Sequence, residues 1–336
     1  MKRLVVILLT ILSITAVISG CQNEGTLSSM PESHGKCGEV IVVMPESTWK
    51  SQIGDTMQTF LRQEYLVLPQ YESTLKVIHI KPRAYTDIFQ RSRNIILCDI
   101  RSDIEKTTFS IEHNKTAAPQ TYITIKANSD TAFLNAWYKV EQTVVDTIVK
   151  YELNRFLKGY KRTQNVYLMD TLRNKYNIDM VMPTAGFNLD VCKEKFAWIS
   201  KETSETSQGF LIWKYPYNGP KDFNIQYLIN KMDSVLMQNV PGPVDGSYMA
   251  VEKRIPPLKD EFNRNGNYVC QLRGLWETEG AFMGGPFVSQ TQVDTVKNEV
   301  TTVFAYVYGG KKAKKILLWQ LESLLTTFNI HYDAKN

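Results

Sequence analysis

Residues 273–287 contain the side chains best suited to binding a ligand: an arginine, three aromatic rings, two carboxylates and four glycines. Arginine and tryptophan dominate binding hot spots, and glycine lets a backbone approach a ligand closely. Glu277 and Glu279 share one face of a predicted strand, where a carboxylate pair could act in acid–base catalysis. The predicted ligand- or partner-binding residues are Arg273, Trp276, Glu277, Phe282 and Phe287.

A purely structural interpretation of the same stretch stays open. Gly284, Gly285 and Pro286 are common turn residues, so they could form the bend of a hairpin. Trp276 and Phe287 would then belong to the core, and Glu277 and Glu279 would be a solvated strand end.

Other reactive residues form no recognisable site. The four histidines are scattered, and no Cys-x-x-Cys, His-x-x-x-His or Gly-x-Ser-x-Gly occurs, so we predict no metal and no cofactor. Residues 309–315 place four lysines before a helix. We interpret them as a solvated or lipid-facing basic surface rather than an anion site, since the full phosphate-loop pattern is absent.

The amino terminus has the layout of a secretory signal. Lys2 and Arg3 precede an apolar run over residues 4–18, and small residues follow. The run is shorter than the ~20 apolar residues that a spanning helix needs.

The last four residues of this signal, Ile18-Ser19-Gly20-Cys21, resemble the bacterial lipobox. The resemblance implies cleavage before Cys21 and acylation of its thiol, for example with palmitate. Several acyl chains would hold the protein firmly on a bilayer. Gln22, in place of an aspartate, favours the outer membrane by the same resemblance, and we expect the body to face the periplasm.

Composition and spacing divide the chain. We predict a signal peptide over residues 1–20, a flexible polar tether over 21–36, a first half over 37–160, and a bridging helix with a second half over 161–336. Without the signal peptide the net charge is +3, with no concentrated basic face, so we expect no nucleic-acid partner.

Periodicity predicts an α+β fold. Residues 94–100 and 121–127 read as strands, and Ser129 and Asp130 open a long helix with one apolar stripe. Strands over residues 268–276 and 300–308, followed by a helix from residue 311, repeat this order. We therefore predict two related halves, each a mostly antiparallel sheet with helices packed on one face.

Several phrases resemble a family of Bacteroidetes lipoproteins, the domain of unknown function 4837, along almost the whole mature chain. These phrases are Val42-Val43-Met44-Pro45 with Trp49 and Gly54, Leu68-Pro69-Gln70, Arg93-Asn94-Ile95-Ile96, and Arg273-Gly274-Leu275-Trp276 followed by Met283-Gly284-Gly285-Pro286-Phe287. The resemblance implies a lipoprotein of one full-length architecture and brings no catalytic residues.

A large folded body, an anchor and no recognisable catalytic set favour a non-enzymatic binding or structural module of the cell envelope. Its partners would be the bilayer, through acylated Cys21, and an envelope protein or glycan. The alternative is a cell-envelope glycan hydrolase that uses carboxylates from residues 273–287, which requires a second carboxylate across a cleft.

Overall fold

The computed structural model describes residues 30–332, which contain seven α-helices and fifteen β-strands. The helices are α1 (Glu46–Trp49), α2 (Gln52–Leu61), α3 (Asp87–Gln90), α4 (Asp130–Tyr160), α5 (Val166–Tyr176), α6 (Ile225–Asn239) and α7 (Lys315–Leu325). The strands are β1 (Glu39–Val43), β2 (Lys76–Ile80), β3 (Asn94–Ile100), β4 (Thr108–His113), β5 (Thr121–Ala127), β6 (Ile178–Asp179), β7 (Asn188–Cys192), β8 (Phe196–Glu202), β9 (Ser207–Pro216), β10 (Tyr248–Val251), β11 (Leu258–Arg264), β12 (Asn267–Glu279), β13 (Gly284–Asp294), β14 (Glu299–Tyr308) and β15 (Asn329–Ile330). The predicted α+β class is confirmed.

The first sheet has the order β2-β1-β3-β5-β4. Three of its four pairings are parallel, and only β4 runs antiparallel to its neighbour β5. This differs from the mostly antiparallel sheet predicted for the first half. Helices connect β1 to β2 and β2 to β3, and a helical crossover returns the chain in the same direction, which makes the neighbours parallel.

The long helix α4 packs on this first sheet. Its buried residues belong to the apolar stripe that the sequence predicted. The Ser129 hydroxyl caps it by accepting a hydrogen bond from the Ala132 amide at 3.3 Å. Phe133, Trp137, Val144 and Ile148 are fully buried against the sheet. Their spacing of four, seven and four residues keeps them on one helix face. This face covers one side of the first sheet and completes the hydrophobic core of the first half.

The second sheet is entirely antiparallel, as predicted, and has the order β10-β12-β13-β14-β9-β8-β7, with β11 paired to β12. It is covered on both faces rather than on one. In β9, Phe210 points to a core formed with α5 and α7, while Leu211 points to a core formed with α6. Both faces of the central strands are apolar, so each face needs a covering layer.

The first sheet has five strands and is mostly parallel, whereas the second has eight strands and is antiparallel. Their topologies differ, so the predicted relation between the two halves is not seen in these sheets. Helix α7 joins them instead. Trp319 enters the core of the first half, whereas Leu318 and Leu321 enter the core of the second. A helix that is buried by two sheets must be apolar around most of its circumference, which α7 is.

The folded body begins earlier than the predicted end of the tether. The Ser33 amide donates to the Ala118 carbonyl oxygen at 3.1 Å, and the Arg93 amide donates to the His34 carbonyl oxygen at 3.0 Å. The predicted signal peptide and lipidation site Cys21 lie outside the described residues.

Candidate functional site

The predicted binding residues lie along the hairpin of β12 and β13, but they do not converge on one site. Trp276 and Phe287 are buried in the core under α6, where Phe287 stacks on Phe304 with ring centroids 4.5 Å apart. Phe282 is fully exposed at the tip of the hairpin. The three aromatic residues therefore form no common binding surface.

Arg273 instead lies in the junction between the two sheets. Its Nη1 atom donates to Glu322 Oε1 at 2.7 Å and to the Tyr65 hydroxyl at 2.9 Å. Burial alone would lower the pKa of Arg273, but the adjacent Glu322 carboxylate raises it above its ordinary value. The three side chains form part of the wall of a wide cleft of about 760 Å³. Through these two hydrogen bonds, Arg273 links β12 to α7 and to the first half of the protein.

Glu277 belongs to an acidic pair that an arginine bridges. Arg254 Nη2 donates to Glu277 Oε2 at 2.7 Å, and Arg254 Nε donates to Glu252 Oε2 at 2.8 Å. Arg254 lowers the pKa of Glu252 to about 2, while burial and the charge of Glu252 raise the pKa of Glu277. Glu279 is exposed.

Lys314 and Lys315, at the start of α7, are buried rather than solvated as predicted, and they link the two halves. Glu72, from the first half, accepts a hydrogen bond from the Lys314 amide at 2.5 Å and from the Lys315 amide at 3.2 Å. The Lys315 ammonium donates to the Thr74 carbonyl oxygen at 2.9 Å. The amide groups that an anion would need are thus already occupied by a carboxylate.

A smaller cleft of about 370 Å³ lies at the end of the second sheet. Trp198, Trp276, Tyr306 and Tyr308 form its aromatic walls, and we call it the aromatic cleft. The Trp276 and Tyr306 rings are nearly perpendicular, at 87° with centroids 6.1 Å apart, and the Trp198 and Tyr306 rings meet at 72° and 6.5 Å. In each pair the edge of one ring packs against the face of the other, and all four aromatic residues line the cleft.

Polar atoms hold the aromatic walls in place. Trp198 Nε1 donates to the Tyr306 hydroxyl at 2.9 Å, and the Ser207 hydroxyl donates to Glu202 Oε1 at 2.6 Å. Burial raises the pKa of Tyr306 to about 12, so its hydroxyl is neutral in ordinary conditions. Glu202 and Ser207 also line the aromatic cleft and give it one polar side.

Two strand glycines make room for these rings. A Cβ on Gly285 would lie 1.9 Å from the Val307 carbonyl oxygen and 3.2 Å from Trp276 Nε1, and a Cβ on Gly209 would lie 2.7 Å from the Tyr306 ring. Gly285 is part of β13 rather than of a turn, and it pairs with Trp276 of β12. The missing side chains let each aromatic ring lie across a neighbouring strand.

Trp198, Tyr306 and Tyr308 were not among the predicted site residues. One sequence signal was present, because Tyr306 and Tyr308 are two positions apart at the end of a strong strand and so share a face. Trp198 is 108 residues away from Tyr306 in the chain, and only the sheet brings the two together.

The protein is thus an α+β protein with two large sheets, a two-stranded sheet of β6 and β15, and a small aromatic cleft in its antiparallel half. Residues 165–327 match the model of the family described as domain of unknown function (DUF4837), which confirms the predicted resemblance over this part of the chain. Residues 33–161 match a separate model, also described as a domain of unknown function (DUF8532). The family resemblance therefore covers less of the chain than expected.

Further comparisons are distant. No curated protein matches the chain. A solved structure described as LpqN, involved in cell envelope biogenesis of Mycobacterium tuberculosis, is similar with a TM-score of 0.27 and 12% identity over 45% of this chain and 79% of that chain. A TM-score of 0.27 does not establish a common fold.

Residues 30–332 contain neither a membrane-spanning helix nor a cluster of metal ligands. None of the helices in this range is both long and apolar enough to cross a bilayer. Nor does this range bring together three or more histidine, cysteine, aspartate or glutamate side chains in a way that could hold a metal ion.

Proposed function

We propose that the protein is a lipid-anchored lipoprotein of the cell envelope whose body is a non-enzymatic binding module. The anchor is supported by the sequence of residues 1–21, in which a basic start, an apolar run and a small-small-Cys end agree. Acylated Cys21 would hold the body on the periplasmic face of the outer membrane. The binding role is supported by the structure of the second half.

The aromatic cleft is the observation that carries the binding role. Its volume of about 370 Å³ is in the range of small-molecule sites, and its walls combine apolar rings with a few polar groups. Trp276, one of the residues predicted to bind a ligand, is part of its wall. Phe282 is exposed on the turn between β12 and β13. The next residue in the chain, Met283, lines the cleft.

The glycan hydrolase alternative receives less support. A pair of catalytic carboxylates must face each other across a space that admits the sugar, about 5–10 Å wide. Glu277 shares Arg254 with Glu252 through direct hydrogen bonds, so the arginine occupies the space between the two carboxylates. Neither Glu277 nor Glu279 lines the two clefts described above.

The anchor is tested by membrane fractionation and intact-mass measurement of the wild-type protein and of Cys21→Ala. We expect the wild type in the outer-membrane fraction with the mass of acyl chains on Cys21, and the variant in the soluble fraction without them. Equal distribution of both proteins would contradict the anchor.

The binding role is tested by ligand capture. The full chain is purified in dodecyl maltoside from its own cells, and co-purifying small molecules are identified by mass spectrometry. We expect a compound that is retained by the wild type and lost by Trp198→Leu, which removes one wall of the cleft. Trp49→Leu is the matched control, since Trp49 stacks on His79 in the other half. If the three proteins retain the same compounds, the cleft is not the binding site.

A further inference from the structure

The only charged side chain among the residues that line the aromatic cleft is acidic. Its thirteen lining residues include one carboxylate, Glu202, and no lysine, arginine or histidine. Glu202 is exposed, and its hydrogen bond comes from the neutral hydroxyl of Ser207. Across the part of the chain that the structure describes, no basic side chain forms an ion pair with Glu202. A carboxylate without a basic partner therefore lies beside the aromatic rings of the cleft.

The rings themselves favour positive charge. The face of an aromatic ring is the negative end of its quadrupole, and a cation within about 6 Å of the ring centre is attracted to it. Trp276 stands at 87° to Tyr306 and at 51° to Tyr308, with centroids 6.1 and 6.3 Å away. All three rings line the cleft, so an occupant can contact more than one ring at once.

From the ring geometry and the unpaired carboxylate, we propose that the aromatic cleft binds a small organic cation, of the alkylammonium class, with its charged head among Trp198, Trp276 and Tyr306. This inference rests on the proposed binding function. The methyl groups of such a cation fill apolar space, and its charge is shared between the rings and Glu202.

Other ligand classes fit the site less well. An anion would meet the Glu202 charge and the negative ring faces without a basic partner. A neutral apolar molecule could fill the volume, but it would gain nothing from the charge of Glu202. The volume of about 370 Å³ limits the occupant to a small molecule or a single headgroup.

The neighbouring acid Glu205 provides a matched comparison. It lies in the β8–β9 connection, three residues after Glu202, and its Oε1 atom forms an ion pair with the Lys312 ammonium at 3.0 Å. Glu205 does not line the cleft. Removing either charge changes the net charge of the protein equally, but only the removal of Glu202 changes the charge at the cleft.

The test compares two probes of the same shape, choline and its uncharged isostere 3,3-dimethylbutan-1-ol. Each is titrated into the full chain in dodecyl maltoside, and the affinity is measured by calorimetry. We expect choline to bind at least about tenfold more tightly. We expect Glu202→Gln to lower the choline affinity at least about threefold, and Glu205→Gln to leave it unchanged.

Equal affinity for both probes, or equal effects of the two glutamine variants, would overturn the cation assignment and leave the cleft as a site for neutral ligands. Absence of binding for both probes would also overturn it, whereas the ligand-capture comparison with Trp198→Leu separately decides whether the cleft binds anything. Both variants change exposed residues, so thermal unfolding of each should match that of the wild type.

Discussion

The indole of Trp276 donates a hydrogen bond to the carbonyl oxygen of Val307 at 3.2 Å, although β13 separates the strands of the two residues. The contact is made across Gly285, which has no side chain to block it. Gly285 of this hairpin is thus explained by the position of the Trp276 ring rather than by a turn.

Gly285→Ala should therefore destabilise the protein by at least about 2 kcal/mol, since the new methyl group overlaps the Val307 carbonyl oxygen and the strand must move. Urea unfolding measures the change. Gly159→Ala is the control, because a Cβ there meets nothing within 4 Å and alanine favours the helix by up to about 1 kcal/mol. A Gly285→Ala protein as stable as the wild type would contradict the packing described.

Arg273→Met should cost about 3–5 kcal/mol, because it leaves the Glu322 carboxylate, only 10% exposed, without its charge partner. Replacing both residues, as Arg273→Met with Glu322→Leu, should recover much of that loss. Arg101→Ala, which breaks an exposed pair with Asp99, should change the unfolding free energy by less than about 1 kcal/mol. Similar losses for the buried and the exposed pair would refute this role of Arg273.

Glu72→Ala should destabilise the protein by about 1 kcal/mol, because the first amide groups of α7 lose the carboxylate that caps them. Glu64→Ala, at a nearby exposed position on the same segment, should have little effect. Hydrogen exchange at the Lys314 and Lys315 amides reports the same loss locally. Unchanged protection of both amides would show that Glu72 is not the cap.

Glu252 should make stability depend on acid pH. Its pKa in the folded protein is about 2, below the ordinary 4.5. The contribution of Glu252 to the free energy of unfolding is therefore complete above pH 4.5 and disappears as the pH falls towards 2. Glu252→Gln should accordingly weaken the protein at pH 7 and match the wild type near pH 2.

Glu277→Gln is the counterpart, because the raised pKa of Glu277 means that its ionised form is disfavoured by folding. This variant should not lose stability at pH 7, and urea unfolding at several pH values distinguishes the two. If the free energy of unfolding depended on pH in the same way for both variants, the lowered pKa of Glu252 and the raised pKa of Glu277 would be contradicted.

The sequence was sufficient for elements whose signals are local. The strand β3 and the helix α4 follow from an apolar run and from a capping serine with a continuous stripe. The parallel pairing of the first sheet was missed, since strand direction depends on connections rather than on composition. The aromatic cleft was missed because its walls come from β8, β12 and β14, which only the second sheet brings together.

The binding site is tested most directly by the indole N–H signals of the six tryptophans in a ¹H–¹⁵N spectrum of the full chain. A small-molecule extract of the cell envelope is titrated into the protein. We expect the signals of Trp198 and Trp276 to shift, and those of Trp49, Trp137, Trp213 and Trp319 to stay in place. If the extract shifts other indole signals but neither of the two in the aromatic cleft, the ligand binds elsewhere and the account is wrong.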